Sequence, residues 1–389
     1  DFVTDSPRLA ITSFKDLDQL GAAFWAEAKK KSVVTPEIQT LADEITRDIS
    51  DPRQQANAIY EWVNRNIRYL LIVLDRGGWI PHDTTQILAN RYGDCKDYTT
   101  LIHALLKAKG IESYPVLIRS DFTYWFPEVA VPDFVNHAIL YIPSLNLFAD
   151  ATAPNTRLGQ IPQTLVGKQA FLGGEKTGKI TVPPGKPEDN QVLSEMEINV
   201  LPDGGLKAVS KNVYVGRSEM VFRPLFADSF AAGNSETFVS LILAHYGLSG
   251  RGKILKLGDA HKVGEPFGVE MEVSLENYLN YSETGEMTIP SGLNFVNLLE
   301  FEQFAKRDRR RTALVVGAAT IRESFKINFP YEMTISSVPA PLSFANKLGS
   351  YRVEFRRQGN TVTVLREMII REDHVTPAEY PLFRELIQK

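Results

Sequence analysis

Tyr92-Gly93-Asp94-Cys95-Lys96-Asp97-Tyr98-Thr99-Thr100-Leu101-Ile102-His103-Ala104-Leu105-Leu106 is the stretch from which the rest of the chain is read. Tyr98, Leu101, Leu105 and Ala108 recur at helical spacing, and Gly110 is a natural residue just past a helix end. Asp94 is placed to cap that helix, which puts Cys95 in its first turn. Unpaired amides and the helix dipole favour negative charge at such a position, and the same amides can hold the oxyanion of a tetrahedral intermediate. Lys96 adds a positive charge, and Gly93 lets the backbone come close to a substrate. Asp94 and Asp97 are read as helix-start electrostatics rather than as catalytic acids. The chain has one cysteine, so an intrachain disulfide and cysteine-rich zinc sites are excluded. A single cysteine is more often a buried inert thiol than a nucleophile, and its neighbours have to decide.

A thiol nucleophile needs a base oriented by a third group. The second informative stretch runs from Phe134 through Asn136, His137 and Ala138 to Asp150 and Thr152. Residues 138–142 and 145–149 read as two strands around Pro143-Ser144. A hairpin closing symmetrically there pairs Ile142 with Leu145 and carries His137 directly opposite Asp150. Facing Cβ atoms in such a pair lie about 4.5–5.5 Å apart, within reach of a carboxylate–imidazole contact. Asp150 would then set the tautomer that leaves the other ring nitrogen to Cys95.

Gly93-Asp94-Cys95-Lys96-Asp97 at a helix start, Asn136-His137-Ala138 on a strand and Ala149-Asp150-Ala151-Thr152 on the next resemble the transglutaminase-like superfamily. So do Asn66-Ile67-Arg68-Tyr69 and the stretch from Gly110 to Val116. The resemblance covers about residues 10–175 and implies a papain-like triad of Cys95, His137 and Asp150. The look-alikes are bacterial proteins in which this core is flanked by β-rich domains of unknown function. From about residue 320, Ile327-Asn328-Phe329-Pro330 and the stretch from Thr376 to Tyr380 resemble their trailing β domain. The aromatic that precedes the family aspartate is usually tryptophan; here it is Phe148, a difference of packing. The calcium sites of the animal enzymes have no counterpart in this sequence.

The 389-residue chain carries 43% hydrophobic and 23% charged residues, a globular composition, and its length suggests two or three domains. A formal charge of -4 gives no electrostatic ground for nucleic-acid binding. No stretch approaches the roughly 20 apolar residues that span a bilayer. The chain starts at Asp1 and is expected to be processed or trimmed. Helices are expected from Ser13, Thr35-Pro36 and Asp51-Pro52, each a capping signal. After Gly110 strands begin, and the polar run from Pro183 to Asp189 reads as a linker. Beyond it alternating strands dominate, among them a hairpin turning at Gly359-Asn360, with helical patches at 222–230 and 238–245 and a last helix opened by Thr376-Pro377. The expected fold class is α+β: a transglutaminase-like core over residues 1–182, a linker at 183–190, a β-rich domain with short helices at 191–300 and a C-terminal β domain at 301–389.

Phe122, Tyr124, Trp125 and Phe126 crowd the loop before His137 and are candidates for a substrate wall, with ordinary core packing an equal reading. Asn136 either orients the histidine loop or ends a strand. His103 lies eight residues past Cys95, about 12 Å along the helix axis, too far to be the base. His82 reads as a turn histidine, and His245, His261 and His374 show no metal-ligand spacing. The chemistry expected is acyl transfer through a thioester on Cys95 with a polypeptide as substrate. A cysteine peptidase or amidase is favoured; a transamidase joining glutamine to amines and a non-catalytic polypeptide-binding module are the alternatives. No cofactor and no metal are implied, and a periplasmic or cell-surface location follows from the habit of the family.

Overall fold

The computed structural model describes residues 9–71, 78–231, 233–279, 285–290, 292–293 and 301–388. Its opening helices start where short polar side chains satisfy the first free amides. Asp16, not Ser13, caps α1 (Leu17–Lys31), its carboxylate accepting the Gln19 amide at 2.8 Å. Thr35 and Asp51 do the same for α2 (Pro36–Ile45) and α3 (Pro52–Asn66), each with proline at the first helical position. A two-residue strand β1 (Arg68–Tyr69), helix α4 (Thr84–Asn90) and strand β2 (Tyr92–Gly93) lead into α5 (Cys95–Ala108). Gly110, at φ +71, ends α5 as its sequence position suggested.

The chain then becomes strand. β3 (Tyr114–Ile118), β4 (His137–Ile142), β5 (Leu147–Ala149), β6 (Gln169–Leu172) and β7 (Lys179–Thr181) form an antiparallel sheet in the order β5-β4-β3-β6-β7. Alternation along the strands separates two cores. Leu140, Ile142 and Ala149 pack with Ile38, Ile59, Val63, Leu101 and Leu105 of α2, α3 and α5. Val116, Ile118, Ile139 and Phe148 belong to a second cluster with Leu165 and Val182. Burying a side chain of this size stabilises by about 1.5–3 kcal/mol, so the first cluster fixes α5 against β4, the pair of elements that matters below. These elements form one contact unit, residues 1–184.

Residues 185–389 form the other. The strands β8 (Gln191–Val200), β9 (Leu206–Val215), β10 (Gly250–Leu257) and β11 (Phe267–Leu275) come first, with α6 (Arg217–Ala231) and α7 (Ser235–His245) between β9 and β10. Phe222, Phe226 and Phe238 of the two helices are buried; the Phe230 side chain lies outside those described. After the one-turn α8 (Glu302–Ala305) follow β12 (Leu314–Val315), β13 (Ala319–Asn328), β14 (Leu342–Asn346), β15 (Gly349–Gln358), β16 (Thr361–Ile370), β17 (His374–Val375) and α9 (Tyr380–Ile387). Eight of these strands make one sheet in the order β10-β11-β9-β8-β13-β16-β15-β14, with β8 and β13 its parallel pair. Segments on both sides of residue 300 therefore share a sheet. Alternation marks a strand in sequence but does not name its partner, and the β8–β13 pairing joins stretches more than a hundred residues apart. Among the described residues no helix is long and apolar enough to cross a membrane.

Candidate active site

Cys95 is the first residue of α5, half-buried, behind a reciprocal capping box. The Asp97 amide donates to Asp94 at 3.4 Å and the Asp94 amide donates to the Asp97 carboxylate at 3.2 Å. Both carboxylates are buried, and Lys96 pairs with Asp94. Burial raises Asp94 above the ordinary carboxylate range, against the opposing pull of Lys96. The Thr99 hydroxyl, one turn on, bonds the Cys95 carbonyl at 2.8 Å and reaches the Ala138 carbonyl at 3.2 Å. It ties the Cys95 end of α5 to β4, next to His137.

His137 opens β4 and is buried. Its Nε2 lies 2.9 Å from Asp150 Oδ2 and donates to it, and its side chain also hydrogen-bonds Cys95. With Nε2 committed to the carboxylate, Nδ1 is the ring nitrogen left for the thiol. Burial alone would depress the imidazole. Charge and hydrogen bonds from Asp150, with a smaller contribution from Cys95, outweigh it and push His137 up to about 10. Asp150 is buried too, which works to raise it, yet His137 and Thr152 hold it below the usual carboxylate range.

The hairpin behind this contact is not the symmetric one expected. Leu140 faces Ala149, Tyr141 faces Phe148 and Ile142 faces Leu147. Continued outward, that register sets Thr152 opposite His137 and Asp150 opposite Ile139. Residues 143–145 form a turn of 3-10 helix and Asn146 takes a left-handed φ of 49, so the connection takes up two more residues than a Pro143-Ser144 turn would. A slip of two residues preserves the face on which a side chain emerges. Asp150 therefore still meets His137, diagonally and from just beyond the end of β5.

Several residues that support the carboxylate passed unread in the sequence. Thr152 donates to Asp150 Oδ1 with its amide at 3.1 Å and its hydroxyl at 2.7 Å. From α3, Tyr60 donates to the Asp150 carbonyl at 2.8 Å, and Asn64 donates to the carbonyls of Ala151 and Ala153 at 2.8 and 2.7 Å. The Asp-x-Thr spacing was a legible sign of a local side-chain turn; the reach from α3 was not. His82 is held on Asp97 by two bonds, backbone N to Oδ1 at 2.8 Å and Nδ1 to Oδ2 at 3.0 Å, so it is anchored to the first turn of α5. His103 is buried: Nδ1 meets Ser113 Oγ at 3.0 Å, Nε2 has no partner among the described residues, and burial pushes the ring down to about 4.

The aromatic candidates divide. Trp125 and Phe126 stand edge-on to Phe134 at 5.8 and 5.3 Å, in a cluster that also takes in Cys95 and Trp79. Tyr124 turns elsewhere, its hydroxyl donating to the Val166 carbonyl at 3.0 Å and its ring lying under Lys168. Asn136 bonds the backbone of Ser120 in both directions, at 2.6 and 3.3 Å. Neither is brought into the Cys95 cluster. Phe122 is largely exposed.

Comparison with known proteins gives part of this region a family. Residues 39–134 match the transglutaminase-like superfamily. This region belongs to the transglutaminase-like superfamily. The match takes in Cys95 and ends before His137 and Asp150. Residues 285–389 match DUF3858, a domain of unknown function. A solved structure from Parabacteroides distasonis, described as a "putative protease", resembles the chain at a TM-score of 0.55 and 13% identity. The likeness covers 96% of this chain and 56% of that one, so the chain spans little more than half its length, and it is a likeness of fold. No curated protein matches the chain. The transglutaminase-like core thus stands at the N-terminal end, followed by a β-rich region.

Proposed function

We propose that the chain is a thiol acyl-transfer enzyme that cleaves amide bonds in a polypeptide, with Cys95 as nucleophile, His137 as base and Asp150 as its orienting carboxylate. One observation carries the reading: His137 Nε2 meets Asp150 at 2.9 Å, and Cys95 hydrogen-bonds the same imidazole. In this mechanism His137 takes the Cys95 proton, Cys95 Sγ adds to the amide carbonyl, and the carbonyl pair moves to oxygen. The C–N bond then breaks as His137 gives its proton to the departing amine, leaving a thioester on Cys95. Water attacks the thioester, His137 takes its proton, and the acid leaves with the thiol restored. A raised His137 keeps the imidazolium available as the acid for amine departure. The superfamily match and the fold likeness are consistent with a peptidase or amidase.

The test is casein and a peptide library incubated with and without a labelled primary amine and read by mass spectrometry. Cleavage or ammonia release that is indifferent to the amine and lost in Cys95→Ala supports the hydrolase. Amine incorporation that outpaces hydrolysis makes the protein a transamidase. A wild-type Cys95 that resists alkylation favours the binding module.

A further inference from the structure

Lys168 lies one residue ahead of β6 and is buried. An ammonium has three protons to donate, and Lys168 directs its bonds at the chain leaving β3: to the Arg119 carbonyl at 3.1 Å, to the Asp121 carbonyl, and to Asp121 Oδ1 at 3.2 Å. Asp121 carries the hold onward, its Oδ1 accepting the Thr123 amide at 2.8 Å and its Oδ2 accepting from Arg119 Nε. Alongside, Ser120 Oγ meets Thr164 Oγ1 at 3.0 Å, and Tyr124 reaches the Val166 carbonyl. Residues 119–124 are thus stitched to 164–168. The loop leaves β3 at Ile118, the cross-strand partner of His137. Its next two residues, Trp125 and Phe126, fall in the cluster with Cys95 and Trp79, and all four keep part of their surface exposed. A buried charge is tolerated only when it is paired and hydrogen-bonded, and here the three bonds that meet this requirement all go to one loop.

We propose that Lys168 is a positioning residue: by fixing residues 119–124 it holds Trp125 and Phe126 as one wall beside Cys95, and that wall selects substrates with an aromatic or large aliphatic side chain next to the scissile amide. The proposal rests on the acyl-enzyme reading above and supplies its substrate class. A side chain of that kind laid on two aromatic rings leaves water and gains free energy with the apolar area covered. The gain requires the rings to be in place before the substrate arrives, which is what the clamp provides. Lys168 directs its bonds at the loop rather than at the triad, so its influence passes through Trp125 and Phe126. Lys179 stands 5.4 Å from the centre of the Phe126 ring, so an acidic reagent is the control.

The discriminating experiment measures alkylation of Cys95 in the full chain by iodoacetamide, N-benzyliodoacetamide and iodoacetate. In each, the thiolate displaces iodide from the same saturated carbon, so the ratio of benzyl reagent to iodoacetamide cancels the reactivity of the thiol. Wild type should favour the benzyl reagent at least about tenfold. Lys168→Met keeps the length of the stem and removes the three bonds. It should bring the ratio to within about twofold of that in Trp125→Ala, and the double variant should lose no more than Trp125→Ala alone, because the lysine acts through the wall. Lys168→Arg, which restores a cation, should recover most of the preference. If Lys168→Met fails to fold, Asp121→Ala on the partly exposed partner is read in its place. A wild-type ratio near one, or iodoacetate as the fastest reagent, overturns the substrate class. A folded Lys168→Met with the wild-type ratio overturns the role of the lysine, and so does an equal slowing of all three reagents, which would assign it to the thiol or to folding. The reading beneath fails differently: a Cys95 that prefers the benzyl reagent yet cleaves no amide overturns the acyl-enzyme and leaves Lys168 and its wall in place.

Discussion

Thr152 holds Asp150 by one carboxylate oxygen and leaves the other to His137. Its amide and hydroxyl lie 3.1 and 2.7 Å from Oδ1, while His137 Nε2 lies 2.9 Å from Oδ2. The carboxylate cannot rotate away from the imidazole without breaking both bonds to Thr152. Since Asp150 lies beyond the last ladder pair of β5, this local turn supplies orientation that the sheet does not.

Thr152→Val keeps the shape and removes the hydroxyl bond. A hydrogen bond to a buried charged group contributes about 1.5–3 kcal/mol, so urea unfolding should show a loss of that order. Acylation of Cys95 by p-nitrophenyl acetate should slow about tenfold as the carboxylate loosens, with Thr152→Ser restoring most of the rate. A Thr152→Val protein with wild-type stability and rate would show that the hydroxyl does not orient Asp150.

The His137 pair predicts a stability profile. A base raised above its unfolded value contributes stability that is fully present below about pH 6.5 and is lost as pH rises through the folded value of about 10. Asp150, held low, adds a contribution that falls away on acidification below the ordinary carboxylate range. The gap in thermal midpoint between wild type and His137→Gln should therefore be widest near neutrality and shrink on the way to pH 10. Alkylation of Cys95 by iodoacetamide at pH 6–7 should drop at least about tenfold in His137→Ala, which removes the neighbouring cation. A midpoint gap that grows between pH 7 and 10 would contradict the assignment.

His103 predicts the opposite sign. Its folded value lies near 4, so its contribution is intact above about pH 6.5 and is lost as pH falls toward 4, where the unfolded chain takes up a proton that the buried ring refuses. At 1.36 kcal/mol per unit, the loss is roughly 3 kcal/mol. Urea unfolding of wild type and His103→Gln across pH 4–7 checks this: the variant should show a flatter acid limb.

Asp97 gathers the Asp94 amide, the His82 amide and the His82 ring on one buried carboxylate. Asp97→Asn substitutes a donor for one acceptor and should cost about 1–3 kcal/mol. Hydrogen exchange should show the His82 and Asp94 amides losing protection, because one acceptor oxygen then remains for the three donors that Asp97 holds. Unchanged exchange at residues 78–83 would mean that the loop is held by other contacts, such as Trp79 against Phe24.

The candidate site was legible in sequence wherever its signals are local. Asp94, Asp97 and Gly110 announced the ends of α5, and with them the place of Cys95, because a cap and its amide lie three residues apart. His137 and Asp150 were named as partners by residue type, yet through the wrong pairing. The structure corrected the register by two residues and kept the contact because strand faces repeat with a period of two. The last helix shows the same limit on a small scale: Thr376 and Glu379 exchange hydrogen bonds as a capping pair should, while α9 itself begins only at Tyr380.

By itself the sequence determined the starts of α2, α3 and α5, the onset of strands after Gly110, the hairpin at Gly359-Asn360 and the three residue types of the candidate triad. Tertiary structure alone decided that Tyr60 and Asn64 of α3 brace the loop after β5, that His82 seats on Asp97, and that β8 runs beside β13 in one eight-stranded sheet. The division has a physical cause. Caps, turns and periodicity are contacts between residues a few positions apart, whose geometry the backbone dictates. A bond from α3 to a carbonyl ninety positions away depends on how buried faces pack, and a hydrophobic pattern shows that a face must be covered without naming what covers it.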